Sequence, residues 1–457
     1  MNWAESEVSY MELGDPRRKN RLSGILTARA QSPGASFSRN FPTPSELNKF
    51  FMFCDNDHVS RESILAGHRA ATVDRMADES VVLAVQDSME YDVTHHPQAE
   101  GFGPLQGPGR QGAWLHNTVA VTPDRRPLGL LDQQCWYREA HAGKKASRRS
   151  RSIEDKESYK WLQSVEVTAA ATAALSTRVV SVGDSEADIY DLFHRAQTLD
   201  QELLVRACQD RAVDETAQRL WSHLESQPVS ERLSIDVARR QGQCARPAQV
   251  SVRFAPVQIK PPRSRSAERL PSVQAWAVLA REEHPPAGVE ALEWLLVSTA
   301  AITCTEEACE RLQWYSCGWV IETFHKVLKS GCRIEERQFE NAKRVERYLA
   351  IDSIVAWRVL LMTMQGRSQP DLSAEVILET TEWQALSCYV HRLPTPPDQP
   401  PTLGEAVRWI AELGGYLGRK NDGPPGVTVL WRGLQQLAAI VEMYHVFHHR
   451  PASDHDP

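Results

Sequence analysis

Three acidic residues have the surroundings that phosphoryl chemistry needs. Asp87 ends the apolar run Val81-Val82-Leu83-Ala84-Val85-Gln86, and Asp184 ends Val179-Val180-Ser181-Val182-Gly183. Such runs predict buried central strands, and a carboxylate at the end of one is costly unless it is paired or bound to a cation. Taken singly, each Asp could equally be a surface or capping group. Asp184, followed by Ser185-Glu186-Ala187, fits a helix N-cap. On neighbouring strands the two could share Mg²⁺, which takes a few carboxylates together with water and phosphate. Glu322 is the third candidate. Tyr315, Gly318, Glu322 and Lys329 follow at spacings of three, four and seven, so one continuous helix would carry them on a single face. Ile321, Phe324 and Leu328 would form the adjacent apolar face that packs on a sheet. A carboxylate between a Tyr and a Lys suits one metal and two phosphates; the plainer alternative is an amphipathic helix with a solvated stripe. Two ions on three carboxylates would activate an attacking water or 3′-hydroxyl and stabilise the leaving oxygen.

The elements that must position these residues are legible in outline. Residues 1–79 are helical and polar, with Asp15 as an N-cap, Pro16 at the first turn and the cations Arg17 and Arg18 just inside. This stretch could be a small DNA-binding module or a helical cap. After the strand ending at Asp87 come strands Trp114–Val121 and Pro127–Trp136, a helix over Glu157–Leu175 and the strand ending at Asp184. A short helix Glu186–Phe193 and the strand Glu202–Arg206 follow. Three strands, then alternating helix and strand, predict an α/β fold: a ribonuclease-H-like mixed sheet with helices on both faces. Residues from about 208 to 290 form a β-rich insertion, with Pro- and Arg-rich turns. Glu293–Thr299 returns to a buried strand, Thr305 to about Lys329 is helical, and Val345–Met364 is an apolar helix. A Pro-rich linker, Leu393–Pro401, precedes a helical tail over 404–449. Three regions result: 1–79, helical; 80–364, carrying the three acids; and 365–457, helical; the family resemblance given below implies that they are a DNA-binding domain, a catalytic domain and a dimerisation region in turn. For 457 residues, two or three domains is the expected number.

Composition narrows the class. The formal net charge of −7 weighs mildly against a nucleic-acid partner, but an acidic metal site adds negative charge of its own and local clusters count for more. Lys144–Arg151 holds five cations in eight residues. A second cluster comprises His325, Lys326, Lys329, Arg333, Arg337, Lys343, Arg344 and Arg347. Either could be a solvated face; the second flanks Glu322 and so points to phosphate. Nine cysteines include no Cys-x-x-Cys pair and read as reduced thiols. The opening residues carry acids where a secretory leader would be basic, and Arg358 inside the apolar helix suits a buried helix better than a membrane span. A cytoplasmic, nucleoid-associated protein with no membrane partner is expected.

The motifs resemble those of bacterial DDE transposases of the IS-four type, the group that includes the transposase of the Tn-five (IS-fifty) transposon. That family carries Tyr, two residues, Arg, three residues, Glu, six residues, Lys, and this chain has Tyr315, Gly318, Glu322 and Lys329 at those spacings. Trp319–Lys326 is similar to the family's segment, Asp184-Ser185-Glu186-Ala187-Asp188-Ile189 to its second-Asp motif, and Leu83–Asp87 to its first. Leu13–Arg18 resembles the start of its DNA-binding domain. The resemblance runs nearly end to end, weakest in the insertion and the tail. It implies a metal-dependent DNA transposase, both nuclease and strand transferase, with Asp87, Asp184 and Glu322 as catalytic metal ligands for Mg²⁺ (or Mn²⁺). The implied partners are double-stranded DNA, as terminal inverted repeats and target, and a second copy of the chain in the synaptic complex. The implied route is cut-and-paste through a hairpin.

The resemblance also implies DNA contacts by Tyr315, Lys329, Arg206, Trp294, Arg17 and Arg18. Trp294 would stack on a flipped base, although a Trp opening a buried strand could simply be core. Arg206 could be no more than an exposed strand-end cation. Two departures are evident. Gly318 stands where the family has a phosphate-contacting Arg, so end binding is expected to weaken unless a neighbour such as Lys326 substitutes. The chain also starts almost at the first motif helix, so a few end-recognising residues are expected to be missing. Two alternatives therefore stay open: a nuclease of the same fold that does not join, and a catalytically weak DNA-binding inhibitor of transposition.

Overall fold

The computed structural model describes residues 3–96, 98–139, 152–213, 218–237, 246–339, 342–420 and 422–448. The cation cluster Lys144–Arg151 lies outside the described residues. Five helices open the chain: α1 (Trp3–Ser9), α2 (Pro16–Gln31), α3 (Phe37–Asn40), α4 (Pro44–Cys54) and α5 (Arg61–Met76). Their starts are where local chemistry puts them. Asp15 accepts the Arg17 N–H at 2.8 Å with Pro16 at the first position of α2, and a reciprocal Thr43–Glu46 capping box opens α4.

Ten strands form one mixed sheet. They are β1 (Val81–Asp92), β2 (Gly103–Pro104), β3 (Gln111–Val121), β4 (Pro127–Trp136), β5 (Arg178–Gly183), β6 (Glu202–Arg206), β7 (Glu231–Val237), β8 (Arg246–Ile259), β9 (Val273–Glu282) and β10 (Glu293–Ser298). The order is β2-β3-β1-β5-β6-β10-β9-β8-β7, with β4 also on β3. β1, β5 and β6 are mutually parallel and the other pairings antiparallel. Helices α6 (Tyr159–Thr172), α7 (Tyr190–Thr198) and α8 (Leu220–Glu225) accompany the strands. Beyond β10 come α9 (Thr305–Ser316), α10 (Trp319–Lys326), α11 (Ala342–Ser368), α12 (Thr380–His391), α13 (Leu403–Leu413) and α14 (Val427–His448).

Three expectations need correction, and that of the insertion gains a detail. β1 runs on to Asp92, because β3 pairs with it from Leu83 to Asp92, so Asp87 lies inside the strand. The helix expected over Glu186–Phe193 is a single 3₁₀ turn, Ser185–Ala187, followed by the later α7. Asp188 turns inward between them and accepts the N–H groups of Cys208 and Gln209 at 2.8 and 2.9 Å. The β-rich insertion continues the main sheet, since β10 pairs with β6 on one side and β9 on the other. The helix expected to carry Tyr315 to Lys329 breaks at Cys317–Gly318 and ends in a π turn, Val327–Gly331.

The core is shared between the ends of the chain. Leu22, Ile25 and Phe50 from the opening helices pack in one cluster with Tyr348, Ile351 and Val355 of α11 and with Leu386, Ile410 and Leu430 of α12–α14. Within it Arg29 is fully buried and donates to Asp352 at 2.8 and 3.0 Å and to the Pro33 carbonyl at 2.7 Å. α11 is long and apolar enough to cross a membrane by composition, but its apolar window is 78% buried inside the protein, as in a core helix. It extends past residue 364, so the boundary expected there falls in its last turn.

Candidate active site

Strand register builds the site. The last parallel pair of β1 and β5 is Val85 with Val182, so Asp87 and Asp184 both lie two residues further on. The last pair of β5 and β6 is Gly183 with Val205, which makes Asp184 and Arg206 the next step. On the other side Asp87 pairs with Asn117, and Asn117 with Gln133. A single polar row therefore crosses five strands at the level where the apolar runs stop. Helix α10 lies over it, packing Val320, Ile321 and Phe324 inward with Glu322 outward and exposed.

The result is a cleft of about 180 Å³ lined by Asp87, Asp184, Glu322, Arg206, Trp294 and Tyr315. Six of the residues singled out from sequence thus come together. One oxygen of each Asp is held by backbone: Ser88 N–H donates to Asp87 at 2.7 Å and Glu186 N–H to Asp184 at 2.8 Å. The capping role considered for Asp184 is therefore real, and it leaves that carboxylate in the cleft. Burial pushes the Asp87 carboxyl up to about 7, and the charges of Asp184 and Glu322 add to the effect. Burial likewise raises Asp184, with Glu186 adding and Lys160 opposing. Among the described residues no three His, Cys, Asp or Glu side chains converge tightly enough to hold a metal ion as they stand. The donor set still fits a hard cation: all-oxygen ligands, gathered like charges, and an Asp whose charge is penalised by burial and by those like charges.

The rest of the lining carries a cation and aromatic rings. The Tyr315 phenol is raised by burial and pulled back by the charge of the neighbouring Arg206 guanidinium. Trp294 is half-buried in the cleft wall and meets Tyr315 edge-on, ring centroids 5.5 Å apart. Trp319, which sequence reasoning passed over, is half-exposed and also lines the cleft.

Other expected contacts lie elsewhere. The π turn carries Lys329 away from the cleft to Glu335, at 3.0 Å. Lys326 is exposed on α10 outside the cleft lining. Arg17 pairs with Asp15 at 2.9 Å, and Arg18 donates to the Leu13 carbonyl at 2.7 Å. Arg17 lines a separate groove of about 490 Å³ together with Asn20 and Arg21. The second cation cluster is largely structural. Arg337 donates to the Pro33 and Cys332 carbonyls, Arg344 pairs with Asp55, and Arg347 donates to the Cys54 and Val59 carbonyls, so these cations clamp the opening helices. His325 is not a cation at all: it is buried, and burial pushes it down to about 3. It sits 3.7 Å from Asp87.

Comparison with known proteins bears on the two ends. Residues 1–59 match the family model described as transposase DNA-binding, and residues 354–451 match that of the transposase Tn5 dimerisation domain. The chain is Tn5-like at both ends. These matches support a DNA transposase that binds DNA and dimerises, and the sheet with its acidic cleft lies between them. A piggyBac transposase, solved by cryo-EM in a synaptic complex with hairpin DNA, aligns over 99% of this chain and 74% of its own. Identity is 9% and the TM-score is 0.35.

Proposed function

We propose that the chain is a metal-dependent DNA transposase of the DDE type whose cleft cuts element ends and joins them to target DNA. The observation that carries this is the row of Asp87 and Asp184 under Glu322, lying between transposase DNA-binding and dimerisation matches. The strand order β4-β3-β1-β5-β6, antiparallel then parallel, supports reading this part of the sheet as a ribonuclease-H-like catalytic core. Asp87, Asp184 and Glu322 would hold Mg²⁺ or Mn²⁺, which when bound activates the attacking hydroxyl and stabilises the leaving oxygen. Arg206 and Tyr315 would grip a phosphate beside the acids, and Trp294 offers a ring face for an unstacked base. The reaction class is in-line phosphoryl transfer. A nick frees a 3′-hydroxyl, the hydroxyl attacks the opposite strand to close a hairpin, water reopens it, and the freed end attacks the target. A cytoplasmic, nucleoid-associated dimer on inverted-repeat DNA goes with this reading.

Two observations favour the weaker alternative, a DNA-binding inhibitor of transposition: Gly318 brings no cation to the cleft, and Lys329 is tied to Glu335. Incubating the protein with end-bearing DNA, target DNA and Mg²⁺ separates the readings. Joined products support a transposase, nicks alone a non-joining nuclease, and binding without cleavage the inhibitor.

A further inference from the structure

We propose that His325 is a positioning residue for Asp87, its Nδ1–H turned onto the carboxylate by a buried relay through Asn117, Gln133 and Ser353. The inference rests on the metal site proposed above and concerns a residue outside the three acids. His325 falls on the inward side of α10, beside Phe324, and is 9% exposed. Its Nε2 lies 3.0 Å from Asn117 Nδ2 and its Nδ1 lies 3.7 Å from Asp87 Oδ2. An imidazole nitrogen facing an amide N–H has to be the acceptor, so the neutral ring carries its proton on Nδ1, toward Asp87.

Asn117 is held in this sense by its neighbour. Its Oδ1 accepts Gln133 Nε2 at 2.8 Å, and the same Nε2 reaches Ser353 Oγ of α11 at 2.8 Å. Asn117, Gln133 and Ser353 are all buried. Asp87, Asn117 and Gln133 are also direct cross-strand partners on β1, β3 and β4, so the relay is set by strand register as much as by side-chain choice. The relay is made of three hydrogen bonds of 2.8 to 3.0 Å and leaves Gln133 Oε1 without a partner. It fixes one proton on one nitrogen at a carboxylate that has to present oxygens to a cation. Groups behind metal ligands orient them in this way.

The test is Mn²⁺ binding to the full-length chain, followed by electron paramagnetic resonance without DNA. His325→Ala is expected to weaken binding about 10- to 100-fold. His325→Asn, which keeps an N–H at the Nδ1 position, is expected to stay within a few-fold of the unaltered chain. Both variants should bind end DNA normally in the absence of metal. ¹⁵N spectra of the unaltered chain should assign the Nδ1–H tautomer to the histidine whose signal is lost in His325→Asn, a readout that does not need the Ala variant to fold. Wild-type-like binding by His325→Ala, equal loss in Ala and Asn, or an Nε2–H tautomer would each overturn the proposal. Failure of the underlying metal site looks different: the unaltered chain would bind no Mn²⁺, or Asp87→Ala would bind it unchanged.

Discussion

Side chains at the cleft decide how firmly it can hold a phosphate. Arg206 and Tyr315 face the acids, while position 318 offers none of the charge that the resembling family places there. A Cβ at Gly318 would lie 3.1 Å from the Tyr315 carbonyl, close enough that the turn must give slightly, yet Gly318 has ordinary helical backbone angles. Gly318→Arg should therefore fold at a small cost in stability and tighten DNA binding. The plot of log affinity against log salt should steepen by about one unit, as expected for one added phosphate contact. An unchanged salt slope in a binding titration would mean that this position does not face the backbone. The acids themselves were legible. Asp87 and Asp184 stood out because apolar runs led into them, and Glu322 through its spacing from Tyr315. His325 was not, since nothing local distinguishes a buried neutral imidazole from one more cation in a basic stretch. Only the pairing of β1 with β3, which brings Asn117 to it, gives it a role.

Among the elements, what sequence conveyed was strand texture, and what it withheld was everything set by partners. β1 seemed to stop at Asp87 because its apolar run stops there, while β3 carries the ladder five residues further. Tyr315 and Lys329 seemed to share a helical face, but the break at Cys317–Gly318 and the π turn at Val327–Gly331 keep one in the cleft and send the other to Glu335. The contact between α2 and α11 was likewise invisible, because Arg29 and Asp352 lie far apart in the chain. Both side chains are fully buried, so Arg29→Ala leaves an uncompensated carboxylate in the core. It should destabilise the protein by about 3–5 kcal/mol, read as a fall in the urea midpoint. An exposed pair would give less than 1 kcal/mol, and a loss that small would contradict the burial described here.

On the scale of the whole molecule, acid sensitivity and dimerisation follow from the same architecture. Burial holds His68 and His116 below their ordinary value of 6.5, in His116 well below it. The unfolded chain binds protons at these sites that the folded chain refuses, so stability is intact above pH 6.5 and falls as the pH drops below it. Glu7, raised by burial but held low on balance by the His68 Nδ1–H at 2.7 Å and by Arg75, adds a further loss below about pH 4.5. Asp87, raised to about 7, acts with the opposite sign over the same window, so the comparison belongs in the Asp87→Asn background, where urea midpoints at pH 7.5 and 5.5 should differ accordingly; equal midpoints there would mean that these histidines are not buried neutral. At the far end α14 exposes Met443, Val446 and Phe447 within the stretch matched to the dimerisation model. Phe447→Glu should weaken self-association by about tenfold or more in sedimentation equilibrium, with cleavage of a single end less affected than paired-end joining.

The most direct test of the central claim is strand transfer with purified protein, end-bearing DNA, target plasmid and Mg²⁺, comparing the unaltered chain with Asp87→Ala. Removing one of three carboxylates from a two-ion site forfeits several kcal/mol of transition-state stabilisation, about a thousandfold in rate at 1.36 kcal/mol per tenfold. The account predicts joined products from the unaltered chain and none from Asp87→Ala, with DNA binding retained by both. Cleavage and joining that survive Asp87→Ala would contradict it.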